Sequence, residues 1–269
     1  MRLNDLSTIV MSTHAEKVNQ TEAQIEAIEK EIRETQALTS IVKDLNGLKQ
    51  KYESDSSSAY FEKGIDYLST QYESMRTIRG DGNCYYRAFL YNLGESLLAN
   101  KDELARILTY VKESKDIVVN VGGYEEMAIE IFYDTIVEFI EGLSTMTKDS
   151  LHEEMNQENS TSDYCTWYLR VLTATFLKAD PARFIPYLEG GYVDIFAFCQ
   201  AEIEPMGKEC TMVSALALAE CFCVSVKIEY LDGHEFKDSL TSHDFGPETS
   251  ATKLHLLYRP GHYDILYRK

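Results

Sequence analysis

The chain has 269 residues, 44% hydrophobic and 26% charged, enough to bury one substantial core and too few to require two large domains. Acidic residues outnumber basic ones 44 to 26, a net charge of −18 that disfavours nucleic acid and suits either a basic protein partner or plain solubility. The opening Met1-Arg2-Leu3-Asn4-Asp5 has no apolar signal-peptide core, and the most apolar later run, Thr211 to Val226, is broken by Glu220, so no export and no membrane crossing are expected.

Residues 1–20 are polar and aperiodic, which predicts a flexible N-terminus. Ile25, Ile28 and Ile32, then Leu38, Ile41, Val42, Leu45 and Leu48, recur at helical spacing and predict a helical arm over 21–58 that ends in the hinge Ser54-Asp55-Ser56-Ser57-Ser58. The main domain is expected over 59–269. Arg76 to Arg79 read as a short strand feeding the turn Gly80-Asp81-Gly82, after which Tyr86, Phe89, Leu90, Leu93 and Leu97 set a helical stripe with Cys84 in its first turn. Further helices are predicted over Glu125 to Leu143, Asp163 to Leu177, Val193 to Glu204 and Thr211 to Phe222. The period then changes. Val224, Val226, Ile228 and Tyr230 alternate with polar residues, and Lys253 to Tyr258 and Tyr263 to Tyr267 also read as strands. Between them, Asp238 to Thr252 reads as a long polar loop carrying one aromatic residue, Phe245. Helices first and a small sheet last make an α+β fold.

Six cysteines are scattered without finger spacing, so free thiols in a reducing compartment are expected, with no metal site. Five read as small core residues. Cys84 differs, because a helix N-terminus and a nearby imidazolium both favour the thiolate that attacks. The glycines before it let backbone amides near Asp81 and Cys84 converge on an oxyanion, while Asp81 or Asn83 can equally serve as an ordinary N-cap. In Arg259-Pro260-Gly261-His262-Tyr263-Asp264, Pro-Gly fits a type II turn that leaves His262 at the start of the last strand. His262 and Asp264 then share one strand face, about 6.6 Å apart, so that the carboxylate can orient the imidazole towards a thiol.

Asp-Gly-Asn-Cys-Tyr-Tyr-Arg-Ala and the closing Leu-Leu-Tyr-Arg-Pro-Gly-His-Tyr-Asp-Ile-Leu-Tyr resemble the two motif blocks of the ovarian-tumour (OTU) class of deubiquitinating cysteine proteases, and within it the otubain family. Ser160 to Tyr164, Tyr168 to Thr173 and Glu202 to Met206 with Lys208-Glu209 are similar to otubain segments in the same order, so the resemblance spans roughly residues 21–269. It implies a papain-like catalytic domain over 59–269. Cys84 becomes the nucleophile, His262 the base and acid, Asp264 its orienter and Asp81 the other acidic active-site position, with Gly82 and Asn83 in the oxyanion turn. The implied reaction cleaves the isopeptide bond between ubiquitin and a lysine, with no cofactor, and favours the linkage that marks proteins for the proteasome. Ala201 to Lys208 and Ser242 to Glu248 match stretches that contact ubiquitin in this family, which points to Glu204, Lys208, Phe245 and Pro247. The arm resembles the region that holds a second ubiquitin and, in some members, restrains a ubiquitin-conjugating enzyme without proteolysis. A monomer in the cytoplasm or nucleus is expected. Two departures stand out: Tyr85 where otubains commonly have Phe, and Thr211-Met212-Val213 where they usually carry Asp-His and an aliphatic residue. A generic papain-like thiol hydrolase has the same Cys-before-His order, but its Cys-Gly-Ser-Cys-Trp surround is missing from this chain.

Overall fold

The computed structural model describes residue 24, residues 26–55 and residues 57–269. The expected flexible stretch 1–20, Ile25 of the arm and Ser56 of the hinge lie outside them. Contacts divide the chain into two units, Met1–Ala37 and Leu38–Lys269. In the first, residues 26–35 are helical, with Lys30 and Glu34 paired one turn apart at 3.8 Å.

In the second unit the strands are β1 (Thr39–Lys43), β2 (Tyr72–Ile78), β3 (Ser225–Tyr230), β4 (Thr241–Phe245), β5 (Lys253–Arg259) and β6 (His262–Arg268). They form one sheet in the order β1-β2-β6-β5-β3-β4, with β3 and β5 parallel and the other neighbours antiparallel. The helices that matter here are α1 (Gly47–Tyr52), α2 (Ser58–Gln71), α3 (Cys84–Ala99), α4 (Lys101–Asn120), α5 (Glu126–Gly142), α6 (Lys148–Glu154), α7 (Thr161–Ala179), α8 (Pro181–Phe184), α9 (Ile195–Phe198) and α10 (Met212–Cys221).

The alternation of side chains along a strand splits the core in two. Ile265 of β6 and Leu254 and Leu256 of β5 pack on the side of α3, and Val226 and Ile228 of β3 on the side of α10, in one core that also takes in residues of α5 and α7. Leu266, Leu257 and Met75 point the other way, onto Leu48 of α1 and Phe61, Ile65 and Leu68 of α2. Helix α3 is the central element: every residue from Cys84 to Gly94 is buried.

The expected arm over 21–58 is not one helix. Leu38, Ile41 and Val42 fit a helical stripe by number, but Thr39-Ser40-Ile41-Val42 is rich in β-branched residues and pairs with β2. Leu38 is buried while Ile41 and Val42 are exposed, so the three never share one apolar face. The sheet therefore draws two strands from ahead of the helical region. The predicted Val193–Glu204 helix is a short α9 followed by a wider π-helical turn over Cys199–Ile203. The long loop predicted over Asp238–Thr252 contains the edge strand β4, and α2, α4 and α6 carry helix where no helix was predicted.

Candidate active site

Cys84 opens α3, where the first amide groups of a helix have no partner from the preceding turn. The turn before it is fixed by its neighbours. Gly82 has φ +75°, and a Cβ placed there would stand 2.0 Å from the carbonyl oxygen of Gly207, so both the conformation and the space demand glycine. Neither acidic nor amide side chain caps α3 in the ordinary way: Asn83 precedes the helix without a capping hydrogen bond, and Asp81 Oδ1 accepts from the Asn83 amide at 3.0 Å. Arg87 Nη1 donates to both oxygens of Asp81, at 3.0 and 2.8 Å, and its Nη2 donates to Asp163 at 2.9 Å. Asp81 thus shapes the turn, its carboxylate occupied by a wholly buried guanidinium.

The other half of the site is the β5–β6 hairpin. Gly261 has φ +70°, as the third residue of a type II turn requires, and Arg259 pairs directly with His262 across the strands. His262 and Asp264 lie on one face, with Nε2 2.8 Å from Asp264 Oδ1, and Cys84 is the other group that acts on the ring. Burial opposes a charge on this ring, but the hydrogen bonds of Asp264 and Cys84 and their negative charge outweigh it and push the imidazole up to about 9.

Asp264 is fully buried and fully used. Besides His262, Oδ1 accepts from the Ile78 amide at 3.0 Å, and Oδ2 accepts from Arg259 Nε at 2.9 Å and Nη2 at 2.5 Å. Burial alone would raise such a carboxyl; the His262 hydrogen bond, the Arg259 charge and the Ile78 amide hold it below its ordinary range. Tyr52 of α1, stacked on Phe61 at 3.9 Å, accepts from Arg259 Nη1 at 3.4 Å, so the helices on that face of the sheet reach the site.

A cleft of about 530 Å³ runs past Cys84, walled by Tyr230, Tyr258, Tyr263 and Met212 and rimmed by Lys208 and Glu209. The departure at Thr211-Met212-Val213 has a local role here. Thr211 Oγ1 caps α10 by accepting from the Ser214 amide at 3.2 Å, and Met212 Sδ accepts from the Tyr230 hydroxyl at 3.0 Å. Of the side chains expected to touch ubiquitin, Lys208 lines this cleft, half exposed. Glu204 is occupied by Lys178 at 2.8 Å and the Tyr124 hydroxyl at 2.7 Å. Phe245, expected in a polar loop, is half-buried on β4 against the core, and Pro247 is exposed just beyond it.

Arg259, Arg87 and Arg170 escaped the sequence reading, which assigned them no role. The signal was available: a basic residue inside a continuous apolar run, as in Tyr168-Leu169-Arg170-Val171-Leu172, must be buried and must find acceptors.

The family model described as Peptidase C65 Otubain matches residues 30–268. The chain is 37% identical over 246 residues to human "Ubiquitin thioesterase OTUB1", covering 91% of this chain and 89% of that one. It is 32% identical to "OVARIAN TUMOR DOMAIN-containing deubiquitinating enzyme 1" of Arabidopsis thaliana, covering 84% and 79%. Among solved structures, a ceOTUB1 ubiquitin aldehyde UBC13~Ub complex superposes with a TM-score of 0.84 at 29% identity, covering 91% of this chain and 99% of that one. A thiol on a buried helix, an imidazole locked to a buried aspartate and this coverage agree: the chain belongs to the otubain family of peptidases.

Proposed function

We propose that this protein is a deubiquitinase that hydrolyses the isopeptide bond between the ubiquitin C-terminus and a lysine, with preference for the proteasome-targeting linkage. The observation that carries it is the hydrogen-bonded line His262, Asp264, Arg259, whose imidazole feels Cys84, with that thiol in a cleft at a helix N-terminus. The Cys84 thiolate attacks the carbonyl carbon, and amide groups at the start of α3 receive the oxyanion. As the tetrahedral adduct collapses, the His262 imidazolium gives its proton to the leaving lysine nitrogen. Neutral His262 then takes a proton from water, which attacks the thioester and returns Cys84 as the thiolate. Asp264 keeps the ring in register throughout.

Diubiquitin of each lysine linkage, incubated with wild-type protein and with Cys84→Ala, tests the reading. Cleavage of the proteasome-targeting linkage ahead of the others, lost by about 10⁴-fold or more in the variant, is expected. Uncleaved chains at high enzyme concentration would sink it. The proposal places the enzyme in the cytoplasm or nucleus, as a monomer.

A second activity is favoured by one observation: solved relatives matched over nearly their full length include complexes with UBCH5B~Ub and UBC13~Ub. We infer a restraint on ubiquitin-conjugating enzymes that needs the first 37 residues and not the thiol. The cut belongs at residue 37, because residues 38–52 build β1 and α1 of the catalytic unit. Truncation there should abolish inhibition of conjugation, while Cys84→Ala leaves it intact.

A further inference from the structure

Arg170 stands in the middle of α7, wholly buried, and each of its hydrogen-bond acceptors is a neutral oxygen. Nη1 donates to the Ile203 carbonyl at 2.9 Å. Nη2 donates to the carbonyls of Gly82 at 3.0 Å and Lys208 at 2.7 Å and to Asn83 Oδ1 at 2.8 Å. The guanidinium lies 4.4 Å over the Tyr86 ring, one turn into α3. A buried cation whose direct hydrogen-bond acceptors are all dipoles, with Asp81 and Cys84 acting on it only without a direct bond, is costly to fold, so the arrangement invites a functional account.

Its acceptors fall in two groups that are far apart in sequence. One is the turn Gly82-Asn83 immediately before the nucleophile; the other is Ile203–Lys208, whose last residues line the cleft. The two segments are also pinned to each other: the Gly207 amide donates to Asn83 Oδ1 at 2.9 Å, and Gly82 sits so close to the Gly207 carbonyl that no Cβ fits between them. One guanidinium fork therefore closes a joint with no slack.

We propose that Arg170 is a positioning residue for the oxyanion site, locking the 81–83 turn to the 203–208 segment so that the amides at the start of α3 face the attacked carbonyl. This rests on the reading of Cys84 as nucleophile and of the turn as its oxyanion site. It follows that anything seated on the 203–208 segment acts on the turn through this residue together with the direct contact of Gly207 with Gly82 and Asn83. A lysine cannot replace it, because a single ammonium cannot hold in-plane donors on four acceptors of two separate segments at once.

The test separates turn geometry from thiolate chemistry. Arg170→Lys is assayed on ubiquitin carrying a C-terminal fluorogenic amide, and Cys84 reactivity is followed with iodoacetamide, which needs the thiolate but no oxyanion site. The expected result is a kcat lower by about 10²-fold, the penalty for a small misplacement of catalytic groups, with alkylation at the wild-type rate. KM should stay within about threefold, the signature of an interaction made in the transition state. Asn83→Ala, which removes the shared acceptor, should give the same split, and the double variant should be no worse than the poorer single one. Should Arg170→Lys fail to fold, Asn83→Ala alone decides. An unchanged kcat, alkylation falling in step with kcat, or multiplicative losses in the double variant would overturn the proposal. A wild-type Cys84 that resists iodoacetamide would instead refute the reading of that residue as nucleophile.

Discussion

The two halves of this site are built by opposite means. On the Cys84 side the important object is backbone: a turn held by Gly82, by the close approach of Gly207 and by buried arginines of α3 and α7. On the base side it is side chains: the hairpin presents Arg259, His262 and Asp264 on one face by strand alternation, and their mutual charges set the protonation state. Changes to the turn should therefore move rate without moving pH dependence, and changes to the hairpin should move both.

The largest effect expected from breaking this division is Asp264→Asn. A carboxamide can hold the ring but cannot support its charge, and loss of a triad carboxylate costs about 10⁴-fold in kcat in comparable sites. On the proposed mechanism the His262 imidazolium protonates the leaving amine and persists up to about 9, so kcat/KM should carry an alkaline limb there. In the variant that limb should fall towards the ordinary histidine value of 6.5. Stability follows with a definite sign. A histidine raised on folding contributes fully below 6.5 and loses that contribution as pH rises through about 9. Denaturant midpoints should fall across that window in the wild type and stay flat in Asp264→Asn; an alkaline limb near 9 that survives the substitution would contradict the assignment.

Next in size is Gly82→Ala, the sharpest probe of the turn. The added methyl must clear a carbonyl oxygen 2.0 Å away and adopt φ +75°, so the turn shifts and kcat should drop by about 10²-fold. The alkaline limb should stay where it is, since nothing around His262 changes. A shifted limb would show that the two halves are not independent.

Sequence carried the two halves unequally. His262 and Asp264 were legible because a two-residue period on a strand states which side chains meet, and the Pro-Gly turn states where the strand begins. Cys84 was legible from the helical stripe behind it. What held these residues was not, since Arg170 reaches Gly82 across 88 positions and Asp264 reaches Ile78 across 186, and no local period encodes such contacts. The arm misled for a related reason: Leu38, Ile41 and Val42 satisfy a helical spacing, and only pairing with β2, a tertiary event, decides that Thr39–Lys43 is extended. Helix α4 was missed although its apolar positions Leu104, Ile107, Val111 and Val118 follow helical spacing and end buried. Glu204 is a different case: motif position suggested a contact surface, and the structure adds that Lys178 and the Tyr124 hydroxyl both bond one oxygen of its carboxylate.

The smallest loss of activity, and the finest discrimination, belongs to Arg259→Gln. Without the fork, Asp264 loses its partners on Oδ2 but keeps His262 and the Ile78 amide on Oδ1, so the ring stays in place and kcat should fall only about tenfold. The sign of the pH effect is opposite to that of Asp264→Asn. The aspartate keeps its charge and no longer shares it with a guanidinium, so the alkaline limb should remain at or above about 9. The cost appears on the acid side. Asp264 is depressed on folding, so its contribution is present above the ordinary 3.8 and is lost as pH falls through its folded value; removing Arg259 raises that value. Acid unfolding, followed by the fluorescence of the single Trp167, should begin at higher pH in the variant. Its stability at neutral pH should be lower by about 3 kcal/mol, the order expected when one partner of a buried ion pair is removed. An alkaline limb that fell as in Asp264→Asn would mean that Asp264 needs Arg259 to stay charged and in place beside His262, and that the Oδ1 contacts do not hold it alone.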